Sequence, residues 1–118
     1  MKMLLTSALV ACLVAAAGSA AAQDGVLARD FQKHKGKPAY RMYLYGVGNG
    51  YVWASTYLEA GKKPPLFCQP SKMSLTEEIF IDLIDQKIQA RPRTAINDGS
   101  PVDMVLLVAL QEAFPCRK

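Results

Sequence analysis

The sequence predicts an all-α protein, a compact bundle of about four helices stapled by one disulfide. Apolar residues recur at helical spacing in three segments, and capping residues, glycines and prolines stand at their borders. No strand signal in the chain is stronger than these helix signals. Two cysteines, Cys68 and Cys116, bracket the last two helical segments.

The N-terminus is set aside before any folding argument. Met1-Lys2 is followed by an uncharged apolar run over residues 4–17, and Ala20-Ala21-Ala22 offers small residues at both cleavage-determining positions. Residues 1–22 are expected to be a secretory signal peptide, cleaved after Ala22. A retained anchor is the rival, but the run falls short of the ~20 residues that a spanning helix needs. Lipid attachment at Cys12 is disfavoured, since Cys12 lies inside the apolar run.

Cleavage removes Lys2 and Cys12, taking the formal charge from +4 to +3 and the cysteine count from three to two. The two that remain suit a disulfide in an oxidising compartment, with two free thiols as the alternative. A bridge closing a loop of ~48 residues stabilises by on the order of 4 kcal/mol in the chain-entropy model. For a domain this small, with total stability of ~5–10 kcal/mol, that is a large share. The mild basic excess argues for solubility more than for nucleic acid.

Residues 23–39 read as a basic N-terminal arm. Arg29, Lys33, Lys35 and Lys37 cluster there with His34, and Arg41 follows. A short helix around residues 25–33 is expected, broken by Gly36 and Pro38. A solvated lead-in is favoured over a patch for an acidic partner or anionic lipid. His34 has no second histidine and no cysteine beside it, so no metal ligand and no cofactor is expected.

The helical domain occupies residues 40–118. Its first long helix spans residues 39–60, carries the longest uncharged run after the signal (residues 42–58), and is apolar nearly all round. Gly46-Val47-Gly48-Asn49-Gly50 lacks the Lys-Ser/Thr ending of a phosphate loop and misses the dinucleotide spacing. Packing explains it better: Gly46 and Gly50, one turn apart, leave a flat face for another backbone, or the helix kinks there. Tyr51, Trp53 and Tyr57 are expected to be mostly core. Gly61 and the prolines at 64 and 65 end the helix.

Ser74-Leu75-Thr76-Glu77 reads as a capping box for the next helix. Leu75, Ile79, Leu83, Ile84 and Ile88 form its inner side. Glu77, Glu78, Asp82 and Asp85 are expected on a solvated face, without the apolar pocket that paired catalytic carboxyls need. Residues 90–93, containing Pro92, end this helix. Asn97-Asp98-Gly99 predicts a turn. Ser100-Pro101-Val102-Asp103 restarts a helix with a cap and Pro at its first position, thoroughly buried from Met104 to Phe114.

Taken together, the aromatic segment YLYGVGNGYVWA, the FCQP segment, a capped helix ending in ARP and a last helix ending in VALQEAFPC show a pattern. It resembles the Rap/Tai family of periplasmic immunity proteins, which protect bacteria against amidase effectors of the type VI secretion system. The likeness covers roughly residues 40–116. Its most specific elements are Cys68 with Pro70, the Ala109-Leu110 pair and Phe114-Pro115-Cys116. Asn49 stands where family members often carry an acid, and the basic arm lies outside the match.

The resemblance implies an all-helical fold with Cys68 bonded to Cys116, often assembled as a homodimer, located in the periplasm and free of enzymatic activity. It implies a peptidoglycan amidase as partner, its cleft blocked by a protruding loop. The loop best placed for that role here is residues 91–100, with Arg91, Arg93, Thr94, Asn97, Asp98, Gly99 and Ser100 as the partner-binding candidates. The alternative is a periplasmic stress chaperone or general envelope binding protein of the same small helical fold. A hydrolase needs a nucleophile–base pair, and His34 is the sole histidine, set in the basic arm.

Overall fold

A 3-10 turn at Ala28–Asp30 runs directly into a short helix, α1, at Phe31–His34. Three longer helices follow: α2 at Pro38–Ala60, α3 at Glu77–Gln89 and α4 at Val102–Ala113. The computed structural model describes residues 25–90 and 96–117. The expected signal peptide lies outside them. Among the described residues the fold is all-α, with four helices, and α3 packs against both α2 and α4.

Each helix has a local cause. α2 begins with Pro38 at its first position, where the missing N–H costs nothing, and it runs unbroken through its three glycines. It ends in a Schellman turn: the Lys63 N–H donates to the Leu58 carbonyl and the Lys62 N–H to that of Glu59. Lys62, at φ 57°, takes the left-handed position, while Gly61 stays at φ −84°. The glycine expected to make this turn thus sits one residue too early for it.

The cap of α3 is Thr76, whose Oγ1 accepts from the Ile79 N–H at 3.3 Å. Ser74, the expected cap, lies two residues upstream in the loop. The shift places Leu75 just before the cap and Phe80 in the first turn, both buried, as a hydrophobic staple requires. α3 buries Phe80, Ile81, Ile84 and Ile88, whereas Ile79 and Leu83 are only half-buried. α4 starts from Pro101 as the cap residue, without a side-chain cap, because the Ser100 hydroxyl is used elsewhere. It buries Val102, Val105, Leu106, Ala109 and Leu110, leaving Met104 and Ala113 exposed, so one face of it is core rather than all.

The basic arm is not a solvated lead-in. Phe31 is 0% exposed and Ala28 2%. The backbone holds them there: Ala28 N–H donates to the Ser100 carbonyl at 2.8 Å, and Val102 N–H to that of Val26 at 2.9 Å. Basic residues of the arm and of the start of α2 then meet the acids of α3. Arg41 pairs with Glu77 and Glu78, and Lys35 reaches Asp85 at 3.2 Å. The carboxylates read as a purely solvated face are in part the seat of the basic segment. His34 packs edge-on against Tyr40, ring centroids 5.6 Å apart.

The disulfide joins Cys68 to Cys116 across 4.9 Å between Cα atoms. Cys68 N–H donates to the Phe114 carbonyl at 2.8 Å, and the Phe67 and Phe114 rings lie 6.5 Å apart. The bridge therefore fastens the α2–α3 connector, not α3 itself, to the chain beyond α4. The same connector is held to α2 by Leu66 N–H donating to the buried Ser55 hydroxyl at 3.1 Å.

Candidate protein-binding surfaces

Of the expected loop, Arg91, Arg93 and Thr94 lie outside the described residues. Its remaining residues form a tight turn rooted on Ile96, which is 1% exposed. Asn97 Oδ1 accepts from the Gly99 N–H at 2.8 Å, and Ser100 Oγ accepts from the Asn97 N–H at 3.0 Å. The Asn side chain thus mimics a backbone turn, as its position before Asp-Gly predicts. From outside, Arg29 N–H donates to the Asp98 carbonyl at 3.1 Å. Asn97, Asp98 and Gly99 are exposed at the apex.

Ser100 is buried beneath the turn. It is 5% exposed, its hydroxyl is spent on Asn97 and its carbonyl on Ala28. The basic segment that supplies these pins was legible as charge but not as a partner of the turn. No local signal links residues 26–29 to residues 98–102, because the pairing is made by backbone groups.

A second surface lies on α2. Its inner side carries Leu44 and Gly48, both buried, and Tyr51, whose hydroxyl donates to the Asp103 carbonyl at 2.9 Å. Burial and the nearby Asp103 carboxylate push the Tyr51 phenol up from its ordinary value. Tyr40 is pushed up further, by burial first and then by Tyr43 and Asp103. Its buried hydroxyl has no hydrogen-bond partner among the described residues.

The outer side of α2 is uncharged and open. Trp53 is 72% exposed, Tyr57 80% and Met42 66%, with Tyr43 and Tyr45 at the flanks. The expectation that Trp53 and Tyr57 are core fails here, because a helix at the edge of a four-helix fold buries one side only. Gly46 and Gly50 lie on this open side with nothing within 4 Å of a Cβ built at either. The close approach falls at Gly48, where a Cβ would overlap the Phe80 ring.

The concavities are modest. One of about 260 Å³ lies between Ser55, Phe67 and Gln69, and another, about 330 Å³, runs beside the Lys87–Glu112 ion pair. Among the described residues no group of three or more His, Cys, Asp or Glu side chains converges as metal ligands, and no helix is long and apolar enough to cross a membrane. Comparison with known protein families, curated proteins and solved structures found no match.

Proposed function

We propose that this protein is a periplasmic immunity protein that binds a type VI secretion peptidoglycan amidase and occludes its active site. The observation that carries the reading is the pinned turn at residues 97–100. Its apex is polar and exposed, while its backbone is held by the Asn97 and Ser100 side chains and by Arg29. A loop already fixed in one shape loses little freedom on entering a cleft, and that favours tight inhibition. The disulfide is consistent with the reading, since a bridged small bundle suits an oxidising compartment.

Co-purification of the disulfide-intact protein with candidate amidases from the same cell is the test. The expected result is a stable complex with one amidase, retained through gel filtration. Asn97→Ala and Asp98→Ala should weaken that complex by about tenfold or more while leaving helix content unchanged. Equal affinity of both variants would place the contact elsewhere on the protein.

A second reading is favoured by one observation, the exposed aromatic side of α2. A periplasmic chaperone binds unfolded chains weakly through such apolar surface. It is separated from the first reading by its promiscuity: weak binding to several unrelated unfolded proteins and no stoichiometric amidase complex.

A further inference from the structure

Trp53, the chain's only tryptophan, is 72% exposed, and Tyr57, one turn further along α2, is 80% exposed. Met42 lies on the same side of the helix, and Tyr43 and Tyr45 flank it. No residue from 42 to 58 carries a charge. Just beyond, the chain turns basic. Lys62 and Lys63 are exposed in the turn that ends α2, and neither has an ion pair among the described residues. Glu59, the sole acid of α2, follows Tyr57 by two residues and so points to the opposite side, where it lines the Ser55 concavity.

Where the aromatic side meets the lysines lies a third concavity, of about 310 Å³, lined by Tyr57, Leu58, Ala60, Gly61 and Lys63. Its walls are mostly apolar, and Lys63 is its one charged residue. That chemistry suits a phospholipid: phosphate for the ammonium, glycerol and upper acyl carbons for Tyr57 and Leu58. We propose that the outer side of α2 docks on an anionic phospholipid bilayer, with Trp53 and Tyr57 in the headgroup layer and Lys62 and Lys63 on lipid phosphates.

Each part has a physical reason. Tryptophan and tyrosine favour the headgroup layer because each joins a large apolar ring to one polar group. The helix side that enters must be uncharged, since a charge there would lose its water. Gly46 and Gly50, with open space around them, let the helix lie close to the surface between Met42 and Trp53. The lysines add attraction to negative lipid, about fivefold in partitioning for each. Lys35 and Arg41 do not share this role, being held on the carboxylates of α3. Among the described residues no helix can cross a membrane, so the contact is with its surface. The proposal stands apart from the amidase reading: none of these residues lies in the 97–100 turn, and its test contains no amidase.

The test uses the processed, disulfide-intact protein, starting after Ala22, because an apolar leader would bind lipid by itself. It is mixed with vesicles of phosphatidylethanolamine and phosphatidylglycerol, or of phosphatidylcholine alone. With phosphatidylglycerol present the protein should co-sediment, Trp53 emission should move to shorter wavelength, and brominated acyl chains should quench it. Neutral vesicles should bind about twenty-five-fold more weakly. Joint Lys62→Gln and Lys63→Gln should lose the same factor on anionic vesicles, whereas Lys33→Gln, in α1, should lose little. Trp53→Glu and Tyr57→Glu should each reduce co-sedimentation by about tenfold or more with unchanged helical circular dichroism. No co-sedimentation overturns the proposal, and so does co-sedimentation without a Trp53 shift. Equal losses from Lys33→Gln and from the Lys62–Lys63 pair also overturn it, since attraction would then be to net charge alone. A Trp53 shift with an unfolded casein chain and none with vesicles overturns it in favour of the chaperone reading. Emission already shifted without lipid and unmoved by it overturns it in favour of a second copy of the chain.

Discussion

The Phe80 ring occupies the space that a side chain at position 48 of α2 would need, so α2 and α3 meet through Gly48 and no larger residue. Phe80 is wholly buried and Gly48 does not have positive φ, so the requirement there is for space and not for backbone freedom. Gly48→Ala should therefore destabilise by about 2 kcal/mol, the overpacking penalty less the gain in helix propensity. Gly46→Ala, with open space around it, should stabilise the dilute protein by up to about 1 kcal/mol. Urea unfolding at low protein concentration reads both, and equal effects at the two sites would contradict this packing.

Alkaline pH probes the two buried phenols. Tyr40 and Tyr51 both have pKa values raised above 10 in the folded state, chiefly by burial. A raised value means that the folded protein keeps its proton where the unfolded chain has lost it. The stability tied to it is complete below pH 10 and is lost as pH rises through the higher folded value. Unfolding midpoints should fall steeply above pH 10. Since the Tyr40 hydroxyl has no partner among the described residues, Tyr40→Phe should be neutral or stabilising by up to about 1 kcal/mol at pH 7 and should flatten the alkaline loss.

Loss of the Cys68–Cys116 bridge removes a constraint on a separation of 48 residues. Cys116→Ser should lower stability by about 4 kcal/mol, most of it through the unfolded chain. Thermal melts with and without reductant check this: reductant should shift the wild type strongly and leave the variant unmoved.

Lys62 carries the left-handed turn that ends α2. Lys62→Gly should raise stability by roughly 1 kcal/mol, since glycine takes that conformation without a Cβ clash. Exchanging Gly61 for Ala, at φ −84°, should leave the midpoint within about 0.5 kcal/mol of the wild type.

The helices themselves were legible because each is bounded by local chemistry: Pro38, the Thr76 region, the 97–99 turn and the Pro115 stop. The cap of α3 was misplaced by two residues because Ser74 and Thr76 are both competent caps, and only the packing of Leu75 and Phe80 selects between them. The buried side of α2 was not legible. A helix without charge on most of its circumference gives no amphipathic signal to distinguish the core side from an open one. The same limit hid which glycine is the close-packed one, a matter decided by Phe80 32 positions away in sequence. In the basic arm the weak apolar stripe of Val26, Leu27 and Phe31 was outweighed by the density of lysines, because the burial of Phe31 depends on backbone pairing with residues 98–102. The turn at residues 97–99 was read from its own side chains, and its fixation by Arg29 was not.

We propose that this protein binds a cell-wall amidase and stops it. The most direct measurement is hydrolysis of purified peptidoglycan by a candidate amidase, titrated with the disulfide-intact protein. Hydrolysis should fall linearly to zero at one protein chain per amidase, and Asp98→Ala should need a clear molar excess to do the same. Full hydrolysis at a large molar excess of the protein, with every amidase of the same cell, would contradict it.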